Sequence, residues 1–175
     1  MGQGHRRGGG RGSCRAKGGS SRFGVGGPRD TGVGQGGVGK GVARSARILV
    51  VEDNETLRTL LAQVLEGEGY VAIPAESGEE ALEVARLAPP DLCLVDHVMP
   101  GMSGADLIRA LRLSTDDRLR TVPAIGLSAY EGGRTELVAA GAIGAFGKPV
   151  AYSTLLDGIR RVLEGGVLFE GQAPA

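Results

Sequence analysis

Between Pro89-Pro90 and Pro100-Gly101 the chain reads Asp91-Leu92-Cys93-Leu94-Val95-Asp96-His97-Val98-Met99. Leu92 to Val95 is apolar without interruption and stops on an aspartate. A short continuous apolar run bounded by turn signals predicts a strand buried on both faces. Strands of that kind belong to parallel sheets covered by helices. In open α/β sheets the ligand chemistry collects just outside the carboxyl ends of the strands. Asp96 stands at such an end. A lone aspartate there as readily starts a turn, so the other strand ends decide its meaning.

The chain ahead of the first strand sets a different expectation. Residues 1 to 45 hold seventeen of the thirty-two glycines, with nine Lys or Arg against the single acid Asp30. A segment so poor in large apolar side chains does not offset its ordering entropy by burial, and disorder is expected for it. The remainder carries eleven basic and nineteen acidic residues. This acidic body argues against nucleic-acid binding. Within the tail, Gly34-Gln35-Gly36-Gly37-Val38-Gly39-Lys40-Gly41 has the frame of a phosphate-binding loop. Gly41 stands where a Ser or Thr would hold magnesium and no strand precedes it, so no nucleotide site is assigned. The Arg-Gly repeats suit at most loose contact with RNA or acidic partners.

Two cysteines, Cys14 and Cys93, imply no disulfide framework and a reducing compartment. No apolar run has membrane-spanning length and the amino end lacks an apolar leader core, so neither an anchor nor a signal peptide is expected. A cytoplasmic protein is the expectation.

From Arg47 on, strand and helix signals alternate. Arg47-Ile48-Leu49-Val50-Val51 is a first apolar strand ending on Glu52-Asp53. Leu57, Leu60, Leu61, Val64 and Leu65 share a helical face that Gly67 and Gly69 close. Val71 to Ala75 is a weaker strand, and Pro74 within it predicts an edge position. Ser77-Gly78-Glu79-Glu80 has capping-box spacing ahead of a second helix. Ser103 to Asp106 caps a third, carrying Leu107, Ile108 and Leu111. Val122 to Ala129 is a fourth strand, a short helix runs around Arg134 to Ala140, and Ile143 to Gly147 is a fifth strand leading to Lys148-Pro149. A last helix carries Leu155, Leu156, Ile159, Val162 and Leu163. The prediction is an α/β, doubly wound five-stranded parallel sheet with five helices, in the strand order that leaves the second strand at an edge. The expected organisation is a tail over 1–45, one domain over 46–165 and a short end over 166–175.

The strand ends now read together. Glu52 and Asp53, Asp96, Ser128 and Lys148 come from four strands to one rim. Three carboxylates at one rim repel unless a cation sits among them, and a hard divalent cation suits such oxygen donors. A lysine and a hydroxyl complete a set for handling a phosphoryl group, with a carboxylate as nucleophile. Lys148 is the only lysine of the acidic body. Each residue has a plain structural alternative: loop starts for the acids, a helix cap for Ser128, surface charge for Lys148.

Residues 46 to about 165 resemble the receiver domain of bacterial response regulators, a flavodoxin-like module, here of the stand-alone CheY-like kind. The matching motifs are Leu49-Val50-Val51-Glu52-Asp53-Asn54, Leu94-Val95-Asp96 with Met99-Pro100-Gly101-Met102 and Gly104, Gly126-Leu127-Ser128-Ala129, and Gly147-Lys148-Pro149. The resemblance implies that Asp96 accepts a phosphoryl group from a phosphohistidine on a sensor histidine kinase or histidine phosphotransfer protein. It implies Mg²⁺ held by Asp53, Asp96 and the backbone carbonyl of Val98, with Glu52 acting through water. Ser128 and Lys148 would contact phosphoryl oxygens, and the Lys148-Pro149 bond would be cis. The chain is then no enzyme beyond its own phosphoryl gain and loss. It has no DNA-binding unit and no membrane contact, and it acts on a downstream protein that the sequence does not name.

One position departs from the family. An aromatic residue usually stands three places before the lysine and moves inward with the hydroxyl on phosphorylation. Here that place is Ala145, with Phe146 beside it on what should be the opposite face. The departure favours an alternative from another class, a phosphorylation-independent receiver-like interaction scaffold. An aspartate-nucleophile hydrolase is excluded because Val98 stands where such enzymes need a second aspartate.

Overall fold

The structure, a computed structural model, describes residues 45–166 and 168. The expected disordered tail, its phosphate-loop frame, Cys14 and nearly all of the short C-terminal end lie outside the described residues.

The backbone runs β1 (Arg47–Val51), α1 (Glu55–Gly67), β2 (Val71–Ala75), α2 (Gly78–Leu87), β3 (Leu92–Asp96), α3 (Gly104–Arg112), α4 (Asp117–Thr121), β4 (Ala124–Ser128), α5 (Glu131–Ala139), β5 (Gly144–Gly147) and α6 (Tyr152–Leu163). The five strands form one parallel sheet in the order β2-β1-β3-β4-β5. Pro74 sits opposite Val50 on the edge strand β2, where its missing N–H interrupts no second ladder.

Every residue of β3 and β4 is buried. Alternate side chains serve opposite faces, as the two-residue period of a strand requires. Leu92 and Leu94 meet Leu61 and Leu65 of α1 and Leu155, Ile159 and Val162 of α6. Cys93 and Val95 meet Ala81 and Ala85 of α2, Leu107, Ile108 and Leu111 of α3, and Leu137 of α5. Two helical layers thus cover one sheet, and the polar strand ends gather at one edge of it.

The helix starts are capped as their sequence suggests. Asn54 Oδ1 accepts from Leu57 N at 3.0 Å, Ser77 Oγ from Glu80 N at 3.2 Å and Ser103 Oγ from Asp106 N at 3.2 Å. The box at α2 is shifted by one place, because Glu80 Oε2 accepts from Glu76 N at 2.7 Å rather than from the cap residue.

There are six helices among the described residues, not five. The extra one, α4, has five residues, of which only Leu119 is buried. One apolar anchor makes no periodic stripe, so hydrophobic spacing carries no signal for it. It is held by Asp116, which caps Arg118 N, and by Arg112 donating to Arg120 O. Two boundaries also differ. β4 begins at Ala124, after Pro123, and α5 begins at Glu131, three residues ahead of the expected start. Neither Gly132 nor Gly133 prevents the helix from forming.

Candidate functional site

β1 delivers Glu52 and Asp53 just past its last residue, β3 ends on Asp96, β4 ends on Ser128, and Lys148 follows β5. The structure therefore brings all five nominated side chains to one rim. Glu52, Asp96 and Ser128 are buried and Asp53 is exposed. Carboxylate oxygens of Glu52, Asp53 and Asp96 all lie within 4.8 Å of one another. Lys148 Nζ bridges two of them, at 2.7 Å from Glu52 Oε2 and 2.7 Å from Asp96 Oδ1.

Burial pushes the Glu52 carboxyl above its ordinary value, and the Asp96 charge adds to this, against the Lys148 hydrogen bond that favours ionisation. Burial alone would lower the Lys148 ammonium. Its bonds to Asp96 and Glu52 outweigh that and hold it above its usual value. One cation thus offsets part of a cluster whose third carboxylate, Asp53, has no such partner in direct contact with Lys148. An oxygen-only donor set with excess negative charge fits a hard divalent cation.

Backbone geometry holds the rim together. Lys148 N donates to Ser128 O at 2.7 Å and His97 N to Leu127 O at 2.8 Å. The Lys148-Pro149 bond is cis. A Cβ at Gly104 would lie 2.0 Å from Asp96 O, so α3 approaches the end of β3 only because position 104 has no side chain. Ser128 Oγ is engaged within its own turn, donating to Tyr130 O at 3.0 Å and accepting from Tyr130 N at 3.3 Å. It is not the side-chain cap of α5, which has none. Val98 lies two residues beyond Asp96 with an exposed side chain. Ala145 packs on the α2–α3 side of the sheet and Phe146 on the α1–α6 side, so the neighbouring ring faces away from the place an aromatic would fill.

Three residues at the site escaped the sequence reading. Arg58 Nη1 donates to the carbonyls of Glu52 at 2.7 Å and Asp53 at 3.2 Å, steadying the turn that carries both acids. His97 is buried beside Asp96 and its Nε2 donates to Glu136 Oε2 at 3.0 Å. Arg58 lies one helical turn after the Asn54 cap, a spacing that foretells a shared neighbourhood. Glu136 is thirty-nine residues from His97, and nothing local announces that pair.

Residues 48–160 match the response regulator receiver domain family. The chain belongs to that family. It is 32% identical over 118 residues to the polar-differentiation response regulator DivK of Brucella anthropi, an overlap of 66% of this chain and 94% of that protein. The chemotaxis protein CheY4 of Vibrio cholerae superposes with a TM-score of 0.63 at 31% identity, covering 67% of this chain and 98% of that one. The receiver domain of a signal transduction histidine kinase from Syntrophus aciditrophicus gives 0.65 at 32% identity, over 75% and 99% of the two chains. The protein carries a receiver domain of two-component signalling, a signalling module rather than a classical enzyme. Among the described residues this receiver has no helix long and apolar enough to cross a membrane.

Proposed function

We propose that this receiver accepts a phosphoryl group on Asp96 from a phosphohistidine of a sensor histidine kinase or a histidine phosphotransfer protein. The observation that carries the reading is the bridge of Lys148 between Asp96 and Glu52 inside a cluster of three carboxylates. An Asp96 carboxylate oxygen attacks phosphorus, the nitrogen–phosphorus bond breaks, and its electron pair leaves with the donor imidazole. Lys148, already on Asp96 Oδ1, stays with the site by pairing with an oxygen of the incoming group. The Ser128 hydroxyl donates to a second oxygen, giving up Tyr130 O. Asp53, Asp96 and the Val98 carbonyl would hold Mg²⁺, with Glu52 acting through water, and the ion would neutralise the remaining phosphoryl charge there.

The proposed receiver spans residues 46–165, and its work belongs in the cytoplasm, a reducing compartment that suits the free thiol of Cys93. An open apolar cleft lined by Leu57, Leu61, Leu127, Pro149, Val150 and Tyr152 runs beside Lys148. Its continuity with the phosphoryl site fits it to the phosphohistidine-bearing protein. The relatives include a response regulator and the receiver domain of a signal transduction histidine kinase.

With Mg²⁺ and acetyl phosphate, intact-mass measurement should show one added phosphoryl group, stable in acid and lost in base. Asp96→Asn should not gain it. Lys148→Ala should gain it yet show a weaker structural response. A wild type with unchanged mass under saturating donor would defeat this reading. The phosphorylation-independent scaffold, which Ala145 favours, would then stand.

A further inference from the structure

His97 follows Asp96 directly and is 5% exposed. Its N–H donates to Leu127 O and its carbonyl accepts from Gly104 N, so β4 and the start of α3 both fix it. Its Nε2 reaches Glu136 Oε2 on α5 at 3.0 Å, and Glu136 Oε1 lies 3.9 Å from Arg109 Nη2 on α3. The Tyr130 ring stands edge-on to the imidazole, with centroids 5.3 Å apart and planes at 78°. Tyr130 is in turn clipped to Ser128 by the two hydrogen bonds of their turn.

The other imidazole nitrogen, Nδ1, is buried and has no hydrogen-bond partner among the described residues. A Cβ at Gly133 would lie 2.3 Å from Ser128 Oγ and 2.7 Å from His97 Nδ1. The two polar atoms therefore pack side by side against the α5 backbone, an approach that only a glycine at position 133 permits. A buried polar atom without a partner costs on the order of 1–3 kcal/mol, and native exceptions ask for a reason.

We propose that His97 is a positioning residue that passes the occupancy of the Asp96 site to α5 and α3, in place of the ring that Ala145 lacks. The proposal rests on phosphoryl acceptance by Asp96. A hydroxyl has one proton to donate, so a Ser128 that turns to a phosphoryl oxygen gives up Tyr130 O. The turn over residues 128–130 is then released, and with it the Tyr130 ring on His97. The imidazole carries Glu136 with it, and Glu136 reaches Arg109. A signal of this kind needs an element whose two arrangements differ in their contacts. Nδ1, unsatisfied in the arrangement described here, is a contact that the second arrangement gains.

The test compares wild type with His97→Leu, His97→Gln and Glu136→Ala. Backbone amide shifts are recorded before and after Mg²⁺ and beryllofluoride, and acetyl-phosphate mass uptake at Asp96 is measured for each protein. Wild type should respond at residues 131–139 and around Arg109. That response should shrink by at least about twofold in His97→Leu and Glu136→Ala, as expected when a coupling link is cut. His97→Gln, which keeps a donor for Glu136, should retain it. Residues beside Asp96 and Ser128 should respond in all four. A purely structural His97 would alter resting α5 resonances and leave the induced differences intact. That result in Glu136→Ala, which truncates a side chain that is 47% exposed, overturns the proposal. A wild type that gains phosphoryl mass with a silent α5 overturns the coupling alone. A wild type that gains none overturns both phosphoryl acceptance and the coupling.

Discussion

Lys148 is the residue whose removal says most about the site. Its ammonium lies 2.7 Å from each of two buried carboxylates and is itself 23% exposed at the side chain. Breaking a buried ion pair by deleting one partner costs about 3–5 kcal/mol when the remaining charge is fully enclosed, and partial exposure reduces that. Lys148→Met should therefore lower stability at neutral pH by about 2 kcal/mol. The variant also removes the bonds that favour an ionised Glu52, whose carboxyl burial already raises. A group whose folded pKa lies above its unfolded value stabilises the fold below the unfolded pKa. That stabilisation is lost as pH rises through the folded one. Urea melts should accordingly show the deficit of Lys148→Met shrinking as pH falls from 8 towards 5. A deficit that is constant across that range would mean that Glu52 does not hold the proton in the variant.

Among the elements, β3 and β5 make separate predictions. Cys93, the second residue of β3, is fully enclosed, and burial raises its thiol from 9.0 to about 12. The folded chain then holds a proton that the unfolded chain releases above pH 9, so stability falls with rising pH. The loss should be about 1 kcal/mol between pH 9 and 10, approaching a slope of about 1.4 kcal/mol per pH unit between 10 and 11. Cys93→Ala should lose that slope, and in a Cys14→Ser background Cys93 should resist thiol reagents until the protein unfolds. In β5, Ala145 offers no ring to move, and Phe146 packs towards α1 and α6. Amide shifts induced by a phosphoryl mimic should be smaller along β5 and α6 than around Asp96 and Ser128. Changes centred on Ala145 and Phe146, equal to those beside Asp96, would show that β5 carries the signal after all.

At the scale of the molecule, the acidic rim couples folding to metal. A ligand that binds only the folded form stabilises it by mass action, about 2.7 kcal/mol at one hundred times its Kd. Mg²⁺ should raise the melting temperature of the wild type and leave Asp53→Ala unmoved. Without metal, Asp53→Ala should melt slightly higher, by up to about 1 kcal/mol, because one of three crowded charges is gone. The gain is limited because Asp53 is exposed and Lys148 already offsets its neighbours. A lower melting point without metal would count against a repulsive cluster. The apolar run of β3, the edge proline of β2 and the helical stripes of α1, α2, α3 and α6 made the sheet and its order legible before any coordinates. Parallel strands also force their carboxyl ends to one rim, so Glu52, Asp53, Asp96, Ser128 and Lys148 followed from alternation alone. α4 was not legible, since a single buried leucine has no period. Nor were the bonds that link distant residues. The Lys148 bridge, the Arg58 clamp and the His97–Glu136 pair depend on which side chains packing brings within 3 Å of each other, and local spacing along a chain carries no record of that.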